Sequence, residues 1–137
     1  MKSILHFFIL LFFTFTLSFS NEFAETKNIV LKKDEQKKIF VKYNNRKKLL
    51  TFRWTLYKNG GLIIFSSYDK IVSQHILYLR HTNQSFRLKL KPSDGYYNPP
   101  YLLIKFKKFD KQKKEASIDF MLSDRSGFIT IEYVKNN

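Results

Sequence analysis

The sequence predicts an all-β fold: an antiparallel β-sandwich, immunoglobulin-like in the broad sense, with a small β-barrel as the alternative. Three observations predict it. Apolar and polar residues alternate with period two in segment after segment, the segments are short and divided by turn-forming residues, and no stretch beyond the N-terminal region carries a convincing helical period. Consecutive strands of this kind pair antiparallel, and one apolar face per strand requires a second sheet to cover it.

The N-terminal segment stands outside that pattern. Residues 1–20 carry one cation, Lys2, and then an apolar run from Ile4 to Leu17 broken only by His6, Thr14 and Thr16. A basic start, an apolar centre and small residues at Ser18 and Ser20 read as a secretory signal peptide cut before Asn21. The alternative is an uncleaved membrane anchor, for which the run is short against the roughly 20 residues that span a bilayer. We therefore expect a signal over 1–20 and a single domain over 21–137, with membrane attachment only through an uncleaved signal.

Strands are expected around Asn28 to Leu31 and Lys38 to Tyr43, divided by the charged turn Lys32-Lys33-Asp34-Glu35. Residues Leu49 to Tyr57 alternate cleanly, which puts Leu50, Phe52, Trp54 and Leu56 on one face and Thr51, Arg53, Thr55 and Tyr57 on the other. Lys58-Asn59-Gly60-Gly61 then supplies a tight turn, because Asn-Gly takes the positive φ angles that two-residue hairpins need, and Leu62 begins the return strand. Ile71 to Leu79 is ambiguous: its spacing partly fits a helix, whereas β-branched Ile71, Val72 and Ile76 favour a strand. Alternation resumes in Ser85 to Lys91, Leu102 to Lys107, Ala116 to Leu122 and Phe128 to Tyr133. Composition makes Asp110 to Lys114 and Asp124 to Gly127 hairpin turns. About eight or nine strands result.

The 137 residues hold 25 Lys plus Arg against 11 Asp plus Glu, a net charge of +14. Removing residues 1–20 takes away only Lys2 among the charges, so 24 cations against 11 acids leave +13 on the domain. Lysine outnumbers arginine, as AT-rich codons dictate, which accounts for part of that charge. There is no cysteine, and therefore no disulfide, thiolate metal site or cysteine nucleophile. A small exported domain without disulfides fits a bacterial periplasm or cell surface better than a eukaryotic secretory route.

Catalysis finds little support. The domain's two histidines, His75 and His81, form no zinc spacing, and GxSxG elbows and phosphate-cradling glycine loops are missing. Asp69, Asp119 and Asp124 form no pair that sequence can place across a cleft. We expect no enzyme, no cofactor and no metal.

Binding is the better expectation. Pro92 to Tyr101 forms a long loop stiffened by prolines and carrying Tyr96, Tyr97 and Tyr101, a residue type that gives contact area at low entropic cost. The outward parity of three strands places Arg53 and Tyr57, then Arg87, Lys89 and Lys91, then Lys105 and Lys107 as candidates for a basic surface. The leading expectation is an envelope protein partner held by the loop and a sheet face or edge. The alternative is an anionic polymer or lipid surface held by the lysine-rich face, with nucleic acid disfavoured by export and by the scarcity of arginine.

Overall fold

The computed structural model describes residues 22–92 and 98–135, so residues 1–20, where a signal peptide is expected, and the loop residues Tyr96 and Tyr97 lie outside the described residues. Within them the protein is all-β. The strands are β1 (Glu25–Lys32), β2 (Lys37–Tyr43), β3 (Arg46–Lys58), β4 (Gly61–Tyr68), β5 (Ile71–Tyr78), β6 (Ser85–Lys89), β7 (Tyr101–Asp110), β8 (Glu115–Ser123) and β9 (Thr130–Tyr133). They form a five-stranded sheet in the order β5-β4-β3-β2-β9 and a four-stranded sheet in the order β1-β8-β7-β6, with every pairing antiparallel. The only helical turn among the described residues is a 3-10 turn at Thr82–Gln84.

Turn chemistry explains the first meander. Asn44-Asn45 (φ 46° and 57°), Asn59-Gly60 (51° and 80°) and Asp69-Lys70 (51° and 69°) each have both central residues in the left-handed region. That geometry twists a two-residue hairpin in the same sense as its strands. The ambiguous segment from Ile71 becomes a strand because its backbone pairs along the whole of β4, from Tyr68 opposite Ile71 to Gly61 opposite Tyr78. Gly61 carries no side chain for a local reason: a Cβ there would stand 2.8 Å from the Tyr78 ring that covers it.

The inward faces make one core in a sandwich-like arrangement. Leu50, Phe52, Leu62 and Ile64 come from the five-stranded sheet, and Leu102, Ile104, Phe106, Ile118 and Phe120 from the four-stranded one, all buried. The Phe52 and Phe120 rings meet edge to face at 5.1 Å, joining the two sheets. Buried polar atoms join them further. Trp54 Nε1 donates to the Leu31 carbonyl at 2.8 Å, and the Tyr68 hydroxyl donates to the Leu90 carbonyl at 2.9 Å.

Two expectations need correction. Asp124 to Gly127 is not a hairpin turn: β8 lies in the four-stranded sheet and β9 pairs with β2 in the other, so this segment crosses between sheets. Asp124 shapes the crossing by accepting from the Ser126 and Ile129 amides at 3.0 and 2.9 Å. Tyr57 does not face outward. Trp54 pairs with Ile64 and Leu56 with Ile63, so Thr55 is an extra residue, a bulge that inverts the alternation beyond it. Leu56 turns to solvent, 43% exposed, while Tyr57 packs against the core.

Candidate functional site

The ten sequence-selected residues fall at different places. Arg87 and Lys89 on β6 and Lys105 and Lys107 on β7 share the outer face of the four-stranded sheet, all four exposed. They are interleaved with other groups. Leu103 and Met121 continue the row that starts at Arg87, and Asp119 sits opposite Lys105. Asp119 accepts from the Asn28 side-chain amide at 2.6 Å, and its other oxygen lies 3.5 Å from Lys107 Nζ. One of the four cations is thereby countered within the face.

Tyr101 is the first residue of β7, and the Arg87 guanidinium lies 4.8 Å from its ring centroid. Both line a polar cavity of about 530 Å³ at the foot of the tyrosine loop, together with Glu22, Asp124 and Arg125. The Leu90 amide, donating to the Pro100 carbonyl at 3.0 Å, closes the base of that loop. Arg53 does not join this group. It lies on the outer face of the five-stranded sheet, 5.9 Å from the Phe65 ring. Lys91 bends to the end of the sandwich and lies 4.9 Å from the Tyr43 ring.

Three local electrostatic features are built in. The Lys48 ammonium is held above its ordinary range by its ion pair with Asp69 and by Tyr43. Burial pushes the Asp124 carboxyl up, but the Ser126 hydroxyl, the Ile129 and Ser126 amides and the nearby Lys91 charge outweigh it and hold the group below the usual range. Burial holds the His75 imidazole below its ordinary value. The ring stacks on Phe86 at 3.6 Å and 9°, with Nε2 3.2 Å from the Ser73 hydroxyl. Among the described residues no group of three or more His, Asp or Glu converges as a metal site would require.

Two surfaces were not selected from the sequence. The first is β5, among the described residues an edge strand of the five-stranded sheet, whose sequence IVSQHILY contains no Lys, Arg, Asp or Glu. Val72 and Ile76, on its outer face, are 70% and 45% exposed, and Ile71 is 74% exposed. Ile76 continues across the sheet into Ile63 and Leu56, an apolar row over three strands. The second is a groove of about 340 Å³ lined by Trp54, Leu56, Tyr57 and Phe109 and by Lys33, Lys111 and Lys114. It lies where two bulges coincide, one at Thr55 in β3 and one at Lys107 in β7. The missing charges of β5 are legible in the sequence once the segment is known to be an edge strand. The bulges are not, because the residues around Thr55 alternate without a break.

No family model, curated protein or solved structure matches the chain.

Proposed function

We propose that the protein is a small exported, non-enzymatic β-sandwich of the bacterial envelope, immunoglobulin-like in the broad sense of two packed antiparallel sheets. Strands β2 to β5 and β6 to β8 follow one another as hairpins, while β1 joins beside β8 and β9 beside β2, so the likeness is one of architecture. Its role is to hold a protein partner by adding an extended segment of that partner to β5, with the tyrosine loop as a second contact. The observation that carries this reading is the edge strand itself. Soluble β proteins guard exposed edges with lysine, proline, bulges or short length. Here β9 is only four residues long, β6 carries Arg87 and Lys89, and β1 carries Lys27 and Lys32. Among the described residues, β5 alone of the four edges is eight residues long, regular and uncharged. Backbone pairing at such an edge supplies affinity, while alternate side-chain positions supply selectivity.

A second reading has its own support in the shared outer face of Arg87, Lys89, Lys105 and Lys107: an anionic polymer or lipid surface bound there. Affinity capture from native envelope at low salt and at roughly 0.5 M salt separates the two. Under the leading reading a protein partner stays bound at high salt and is lost from the Val72→Lys, Ile76→Lys variant. Capture that disappears at high salt and on Arg87→Ala with Lys89→Ala, yet survives the β5 substitutions, replaces it with the second.

A further inference from the structure

The groove between the bulged parts of β3 and β7 is built in a way that packing alone does not require. A strand running without a bulge would keep Leu56 inward and Tyr57 outward. The extra residue at Thr55 reverses both, and the extra residue at Lys107 does the corresponding thing on the facing sheet, bringing Phe109 inward. The rings then stack, Tyr57 on Phe109 at 3.8 Å and 19°, with Trp54 edge-on to Phe109 at 5.6 Å. Bulges of this kind re-aim side chains, and they concentrate beside binding sites.

The rim is cationic and comes from two separate turns. Lys33 stands in the β1–β2 turn, which Trp54 fixes twice: its indole donates to the Leu31 carbonyl, and its own carbonyl accepts from the Asp34 amide at 2.9 Å. Lys111 and Lys114 stand in the β7–β8 turn, which Asp110 fixes by accepting from the Gln112 and Lys113 amides at 2.9 and 3.0 Å. Among the described residues none of Lys33, Lys111 and Lys114 forms an ion pair. The nearby carboxylate of Asp110 is occupied by its own turn, and Asp34 is exposed beside Lys33. An apolar floor of about 340 Å³ is at the small end of the range for small-molecule sites, which pair such a floor with a few fixed polar groups.

We propose that this groove binds a small amphiphilic anion. An acyl or aryl body lies against Leu56, Tyr57 and Phe109, and a carboxylate, sulfonate or phosphate head is met by Lys33, Lys111 and Lys114. Charge complementarity selects the anion, since three ammonium groups around one opening repel a cationic head and offer a neutral one hydrogen bonds without charge pairing. The site is independent of the β5 edge and of the partner reading above.

The test uses the purified domain with 8-anilinonaphthalene-1-sulfonate as a fluorescent probe, and decanoate and decanol as competitors. Saturable binding is expected, displaced by decanoate and much less by decanol. It should weaken about tenfold in the Lys33→Gln, Lys111→Gln, Lys114→Gln variant, whose replaced side chains are exposed and leave the fold intact. Leu56→Glu, also at an exposed position, should weaken it as well. Arg87→Gln with Lys89→Gln, on the outer sheet face, should change nothing. Unsaturable fluorescence, equal displacement by decanol, or loss on the Arg87 and Lys89 substitutions instead of the groove ones would each overturn the proposal.

Discussion

His75 shows how one side chain couples burial to pH. Burial holds the imidazole, stacked on Phe86 from the other sheet, below its ordinary pKa. In the unfolded chain the same ring titrates near 6.5. The unfolded state therefore binds more protons as pH falls below that value, and folding loses stability there, while above it the stability is fully present. Thermal melts at about pH 7.5 and 5.5, a window in which ordinary carboxylates stay ionised, should show a lower melting temperature in acid. In His75→Gln that difference should shrink. Asp124 acts with the same sign at lower pH: its carboxyl is depressed by the amides and hydroxyl it accepts from, so its contribution is present above the usual carboxylate range and disappears as pH drops through the depressed value. Because those bonds fix the crossing from β8 to β9, Asp124→Ala should cost about 2 kcal/mol in denaturant unfolding at pH 7. A loss indistinguishable from zero would mean the crossing holds its shape by packing of Ile129 alone.

Among elements, β5 decides between a partner and self-association. Antiparallel pairing of β5 with its copy would bring the Lys70 turn of one chain beside the Arg80 end of the other, twice, between two strongly basic molecules. Charge thus opposes the second copy and favours a partner segment with acidic ends. Light scattering at moderate salt should accordingly report a monomer, and Ile76→Lys should leave that mass unchanged while abolishing partner capture. A dimer that Ile76→Lys dissolves would reassign the edge to self-pairing. The elements differ in how far the sequence reveals them. The Asn59-Gly60 hairpin was legible because its backbone demand is local and few residues meet it. The sheet to which each strand belongs was not, since Arg53 and Arg87 share the same outward parity yet lie on opposite outer faces, a matter of long-range pairing. The bulges at Thr55 and Lys107 also escape a reading by parity. An extra residue shows only when a partner strand is counted against it, and parity alone therefore sends Tyr57 to solvent and hides the aromatic groove.

Across the whole molecule, a chain with no cysteine and a large cation excess must fold on packing that outweighs its own repulsion. The packing is concentrated where the sheets face each other. Phe120 is fully buried and meets Phe52 edge-on, so Phe120→Ala should cost about 3–5 kcal/mol, a large part of the stability of a domain this size. The repulsion is spread over the surface. A few ion pairs offset it, Lys42 with Glu132 and Lys48 with Asp69 among them, but 25 basic residues against 11 acidic ones leave most cations without an acid to face. Salt acts on the two terms in opposite directions: it screens the repulsion among like charges and weakens exposed pairs that are individually worth little. With cations in such excess the first effect is the larger. Melting temperature should therefore rise between about 0.02 and 0.3 M sodium chloride. It should rise less in a variant in which Lys105 and Lys108, both exposed on β7, are replaced by glutamine. A melting temperature that falls over the same interval would mean that the ion pairs, and not the buried rings, carry the balance against this charge.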